Sequence, residues 1–88
     1  METNLMDIKN VVRNFVVETF LFGEDEKLKE DTSFIESGMI DSTGILELAA
    51  FLEETFGFRL RDDELIPENL DSISNVVSFL RKKMEASP

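Results

Sequence analysis

Residues 34–58, FIESGMIDSTGILELAAFLEETFGF, hold the chain's best candidates for chemistry: Gly38, two apolar residues, Asp41 and Ser42 run directly into an amphipathic stretch. At a helix start the first four N–H groups lack partners and the dipole presents partial positive charge, so a phosphate esterified to a serine there is stabilised. Ser42 therefore stands where a phosphodiester is easily held. A plainer role competes with this one, because a Ser or Asp before a helix is most often an N-cap contributing about 1 kcal/mol. The junction alone does not decide between them.

Other catalytic chemistry is poorly supplied. The chain has no His and no Cys, which removes the commonest general base, the commonest metal ligand, the thiol nucleophile and any disulfide. Acyl or thioester chemistry would need a thiol from outside the sequence and a base from another protein, which favours a passenger over an autonomous enzyme. Asp62, Asp63 and Glu64 form a carboxylate run without the alternating spacing and glycine of a calcium loop, so no metal site is expected. Arg59 and Arg61 bracket Leu60 and are expected to make surface ion pairs of little weight.

The elements that must position Asp41 and Ser42 follow from apolar periodicity. Leu5, Ile8, Val12, Phe15 and Val16 lie at spacings of three and four and predict a helix over 4–20, with Asn4 as its cap. Gly23 and the charged run GEDEKLKED stop it, and a long loop pinned by Leu28, Phe34, Ile35, Met39 and Ile40 leads to Asp41. Ile45, Leu48, Ala49, Leu52 and Phe56 predict a helix over 42–56, closed by Gly57. A brief helix is expected over 62–66, ended by Pro67, with Leu65 and Ile66 packing inward. Asp71 or Ser72 then caps a helix over 72–84 with the stripe Ile73, Val76, Val77, Leu80 and Met84, and Arg81, Lys82 and Lys83 in its final turn. The tail EASP is expected to fray. The predicted class is all-α, one domain over 1–88.

At 100° per residue, Ile45, Ala49, Leu52 and Phe56 point one way, while Thr43, Glu47, Ala50 and Glu54 line the opposite side. Leu46 and Phe51 flank that outward stripe, giving an apolar and acidic surface beside Ser42. The net charge of the 88 residues is −10, and no basic residue lies between Lys29 and Arg59. Such a surface repels nucleic acid and anionic lipid and suits a basic partner with an apolar pocket. Apolar residues make up 42 % of the chain, enough for a folded domain, and no stretch approaches a membrane span or a signal peptide. A monomer in the cytoplasm is expected.

Taken together, the acidic composition, the long loop and GMIDSTGILELAAFLEETFG resemble the acyl carrier proteins and peptidyl carrier domains, in which a glycine, hydrophobic, Asp-Ser motif opens the second helix. The resemblance runs from helix 1 to Lys83, and LEETFGFRLRDDEL is similar in pattern to the end of that helix and the loop after it. It implies a four-helix bundle with a short third helix. It implies, too, a carrier whose Ser42 receives 4′-phosphopantetheine from coenzyme A, with Asp41 helping the modifying synthase bind Mg²⁺ and coenzyme A. The implied partners are a phosphopantetheinyl transferase, an acyl- or aminoacyl-activating ligase and downstream transferases, with Thr43, Leu46, Glu47, Ala50, Phe51, Glu53 and Glu54 meeting or steering them.

Two features depart from the usual pattern. Thr43 and Gly44 follow the serine where the family commonly has Leu, and Gly44 is expected to loosen the first turn, since glycine is about 1 kcal/mol worse than Ala in a helix. The two residues between Gly38 and Asp41, Met39 and Ile40, make the spacing more similar to D-alanyl and free-standing aminoacyl or prolyl carriers than to ordinary fatty-acid carriers. Phe15, Phe34, Phe51, Phe56, Phe58 and Phe79 are expected to fill the interior, favouring short or amino-acid cargo displayed outside. The competing reading is a small acidic helical adaptor with no prosthetic group, in which Ser42 is only a cap.

Overall fold

Three apolar stripes too wide to leave in water must find one another, and in the computed structural model they do. It describes residues 5–24 and 26–86. Helix α1 (Leu5–Phe20), α2 (Ser42–Phe56), the four-residue α3 (Pro67–Leu70) and α4 (Ile73–Ala86) account for the regular structure, with a 3-10 turn at Asp62–Glu64 and no strand among the described residues. Ile8, Val12 and Val16 of α1 meet Leu48, Ala49 and Leu52 of α2 and Ile73, Val76 and Leu80 of α4 in a closed core. Each large side chain fully buried there stabilises the fold by about 1.5 to 3 kcal/mol relative to exposure. Phe51 stacks on Phe15 with ring centroids 4.0 Å apart, and Phe20 meets Phe15 edge-on at 5.8 Å, so aromatic contacts join α2 to α1.

The boundaries of α1 and α2 follow the sequence prediction, except that the Asn4 cap lies outside the described residues. The C-terminal end of α2 closes on Gly57, whose φ of 74° is left-handed and whose N–H donates to the Glu53 carbonyl at 2.9 Å. Helix 4 is capped by Ser72, not Asp71: the Asn75 N–H donates to Ser72 Oγ at 3.0 Å. It continues to Ala86, beyond the predicted Met84, so Arg81 and Lys82 fall short of its final turn and only Lys83 lies in it.

The predicted third helix is corrected. Residues 62–64 form a single 3-10 turn, and Pro67 begins α3 where it was expected to end a helix. The physical reason is that proline's fixed φ and missing N–H suit a first helical position, where that N–H would be unpaired anyway. The carboxylate run in the turn is held by neighbouring cations: Arg61 Nε pairs with Asp63 at 3.1 Å, and Lys83 Nζ reaches both oxygens of Glu64 at 2.9 and 3.0 Å. The Glu64 carboxyl is held below the usual glutamate range, first by the Arg61 backbone N–H that donates to it and then by Lys83, against an opposing effect of burial.

A lowered folded-state value means that the ionised form stabilises the fold above the unfolded value of about 4.3 and that this contribution is lost as pH falls through the lower folded value. Wild type should therefore lose more stability than Glu64→Gln between pH about 5 and pH about 3, read as the difference of their urea midpoints across that window. Parallel losses in the two proteins would mean that the Glu64 carboxylate contributes nothing.

At the other end of α1 the chain turns through Phe22, which is 88 % exposed and has a φ of 53°. A bulky residue in the left-handed region carries a steric cost that glycine avoids. Phe22→Gly is expected to raise the unfolding free energy by about 0.5 to 1 kcal/mol; a decrease in a denaturant titration would show that the ring makes a stabilising contact.

Loop 21–41 is pinned by Leu28, Phe34 and Ile40, all buried, with Met39 partly so. Ile35 does not join them. It is 44 % exposed, because neighbours in a turn cannot all face one core, and Phe34 takes the inward position.

Candidate functional site

Asp41 leaves the loop in an extended conformation, and its Oδ1 accepts the Gly44 N–H at 2.8 Å while its carbonyl accepts the Ile45 N–H at 3.0 Å. Asp41 is thus the N-cap and Ser42 the first helical residue. Ser42 is exposed, and its hydroxyl has no hydrogen-bond partner among the described residues. The reading of Ser42 as the cap is corrected, and with it the main structural role the adaptor reading gave that residue.

Gly44 also has a different part from the one expected. It is buried, and a Cβ built on it would lie 2.5 Å from Ile40 Cγ2 and 2.9 Å from Phe20 Cε1. Glycine here does not loosen the turn; it lets the first turn of α2 lie directly on Ile40 and the end of α1, which fixes the place of Ser42.

Of the residues expected to face partners, Thr43, Leu46, Glu47, Ala50 and Glu54 are exposed. Phe51 and Glu53 are not on that surface in the same way. Phe51 is half-buried against Phe15, and Glu53 Oε2 accepts the Leu60 N–H at 2.7 Å, tying the end of α2 to the segment after it.

The structure adds residues that periodicity missed. A groove of about 430 Å³ opens beside Ser42, walled by Ile35, Ile45, Leu46, Leu65, Ile66 and Pro67, with Leu70 and Asp71 completing its lining. Ile35, Leu46 and Ile66 are three of the four large apolar side chains exposed among the described residues, at 44, 56 and 38 %. Ile66 was expected to pack inward, but no regular helix over 62–66 exists to turn it there. Exposed carboxylates follow three wall residues directly in sequence: Glu36 after Ile35, Glu47 after Leu46 and Glu68 after Pro67. A largely apolar groove on a chain of net charge −10 complements a basic surface carrying an apolar side chain. Only the direct adjacency of each carboxylate to an apolar residue was visible in the sequence.

An exposed serine hydroxyl without a competing hydrogen bond, on the first turn of a 15-residue helix, fits a phosphodiester. A family model described as a phosphopantetheine attachment site matches residues 11–80. The chain belongs to the phosphopantetheine-attachment family. It is similar to the D-alanyl carrier protein of Abiotrophia defectiva, 32 % identical over 65 residues that cover 72 % of this chain and 82 % of that protein. The acyl carrier protein of Bdellovibrio bacteriovorus is 35 % identical over 81 residues, 92 % of this chain and all of its own length. That of Campylobacter hominis is 37 % identical over 75 residues, 85 % and 91 % of the two chains. Membership makes the chain a carrier with a covalently attached 4′-phosphopantetheine. This phosphopantetheine-attachment protein is all-α as expected, and no described helix is long and apolar enough to cross a membrane.

Proposed function

We propose that Ser42 is the attachment point and that the chain presents acyl or aminoacyl cargo to partner enzymes without catalysing a reaction of its own, in the cytoplasm and as a monomer. The observation that carries this reading is the exposed Ser42 hydroxyl, without a hydrogen-bond partner among the described residues, on the first turn of α2 and beside a largely apolar groove. In the modification, Ser42 Oγ bonds to the β-phosphorus of coenzyme A, the pyrophosphate bond breaks, adenosine 3′,5′-bisphosphate leaves, and the serine proton passes to a base of the transferase. The chain supplies no histidine for that step. Asp41 caps α2 through Oδ1, and its Oδ2 makes no hydrogen bond among the described residues, which suits the role that the family resemblance gives it in Mg²⁺ and coenzyme A recognition.

When bound, the group supplies a thiol that holds cargo as a thioester. The chain's own part is to hold Ser42 in reach and to offer a surface. The phosphopantetheinyl transferase is the partner that must approach Ser42, and the groove is continuous with that residue. Thr43, Leu46, Glu47, Ala50 and Glu54 form the helical side of the contact, with Ile35 and Ile66 opposite. Ligases and transferases that charge and use the carrier meet the same acidic face, whereas nucleic acid and anionic membranes are repelled by it. The similarity to both D-alanyl and acyl carriers supports a thioester cargo of either kind.

The test is intact mass after the apo protein is incubated with coenzyme A, Mg²⁺ and a phosphopantetheinyl transferase of broad specificity. A gain of one phosphopantetheine is expected. A folded protein whose mass does not change would restore the adaptor reading.

A further inference from the structure

One wall of the groove is held by a single residue on the far side of the sequence. The Phe34 N–H donates to the Asp71 carbonyl at 2.7 Å, the Ile35 N–H donates to Asp71 Oδ1 at 3.0 Å, and the Ser33 hydroxyl donates to Asp71 Oδ2. The Glu36 N–H then donates to Ser33 Oγ at 3.1 Å, which closes the turn. Asp71 is itself fixed, since its N–H donates to the Pro67 carbonyl at 3.0 Å at the end of α3 and the next residue, Ser72, caps α4. Three consecutive residues of the loop thus converge on one residue where two helices meet.

The clamp sorts two adjacent side chains. With the backbone of 33–35 fixed, Phe34 enters the core, fully buried, and Ile35 is turned outward onto the groove beside Ser42. An exposed isoleucine on an unrestrained loop would sample many positions, and a partner would have to order it on binding at an entropic cost. Held in place beforehand, it is a ready contact.

We propose that Asp71 is a positioning residue for the modification of Ser42: although it lines the groove, both of its carboxylate oxygens are taken up by the loop, and it acts through Ile35, fixing that side chain as the wall on which the phosphopantetheinyl transferase docks. This rests on the reading that Ser42 is the attachment point. The occupant follows from continuity with Ser42, which lines the groove, and from charge, since Glu36, Glu47 and Glu68 are exposed next in sequence to its wall residues and no basic residue lies between Lys29 and Arg59. The Ser42 hydroxyl does not depend on the clamp, because Asp41 and the packing of Gly44 set the first turn of α2. Loss of the clamp should therefore weaken encounter and leave the chemical step intact.

The experiment measures kcat and KM for the apo protein with coenzyme A, Mg²⁺ and a phosphopantetheinyl transferase of broad specificity. Wild type is compared with Ile35→Ala, Asp71→Ala, the double variant and Asp71→Asn. Ile35→Ala and Asp71→Ala are each expected to raise KM about tenfold with kcat changed by less than about twofold. Because the two act through one contact, the double variant should also stay near about tenfold instead of reaching about a hundredfold. Asp71→Asn keeps an acceptor for the Ile35 N–H and should remain within about threefold of wild type. Far-UV circular dichroism checks the fold. If Asp71→Ala does not fold, Ser33→Ala, which removes one of the three donors, replaces it in the cycle and should raise KM by a smaller factor that adds nothing to Ile35→Ala. Multiplying effects in the cycle, or an unchanged KM on removal of the clamp, would overturn the proposal while leaving the Ser42 reading in place. A folded wild type that gains no mass would remove that reading and the proposal together.

Discussion

Ser42→Ala should abolish phosphopantetheine addition and change the unfolding free energy by no more than about 0.5 kcal/mol, the range of exposed surface substitutions. The two halves of this expectation have separate causes. Attachment needs the hydroxyl oxygen, for which alanine offers no substitute. Stability needs very little from it, because the cap of α2 belongs to Asp41, whose Oδ1 accepts the Gly44 N–H at 2.8 Å. Alanine is also well suited to a helix. The contrast is Asp41→Ala, which should cost about 1 kcal/mol as a lost cap. Urea unfolding followed by circular dichroism, beside intact mass after transferase treatment, separates the two. A Ser42→Ala protein that still gains phosphopantetheine, or one destabilised as much as Asp41→Ala, would contradict the account of this junction.

The second large effect runs against helix propensity. Gly44→Ala removes the most flexible residue from a helix, which by propensity alone should stabilise by about 1 kcal/mol. We expect a loss of about 1 to 3 kcal/mol, the usual cost of overpacking a filled core. The added Cβ would stand 2.5 Å from Ile40 Cγ2 and 2.9 Å from Phe20 Cε1. Ile40 is buried at 2 % exposure and has no room to retreat, whereas Phe20 is only partly enclosed and can yield. Relief should come from Ile40→Leu, which removes the branched methyl that makes the closest approach, so the double variant should recover part of the loss. A Gly44→Ala protein more stable than wild type would mean that the first turn has space the structure does not show.

Gly44 and Ile35 mark where sequence reading stopped. Helix α2 was legible to the residue because its stripe, its N-terminal Asp-Ser and its C-terminal Gly57 all agree, which is the situation in which local signals are reliable. Ser42, the proposed attachment point, stood out from the junction together with the acidic composition and the long loop before it, not from the Asp-Ser pair alone, which serves equally as a helix start. Gly44 could be scored only by propensity. Its neighbours Ile40 and Phe20 come from the loop and from α1, and their approach is a tertiary fact with no sequence spacing behind it. Ile35 and Ile66 failed in the opposite sense. Both are isoleucines in segments without a period, so apolarity argued for burial, yet together with Leu46 they form the exposed wall of the groove. The Asp71 clamp spans 36 residues to Ile35, a separation at which no local pattern operates. Pro67 fits a helix stop and a helix start equally well in the sequence, an ambiguity inherent in proline between two short turns, and the chain uses it as a start.

The most direct test of the central claim is to map the modification by tandem mass spectrometry on holo protein made with the transferase. The account predicts a single phosphopantetheine, on Ser42, with Ser33, Ser37, Ser72, Ser74, Ser78 and Ser87 unmodified. Attachment at any of these other serines, or a fully folded protein carrying none after exhaustive treatment, would contradict it.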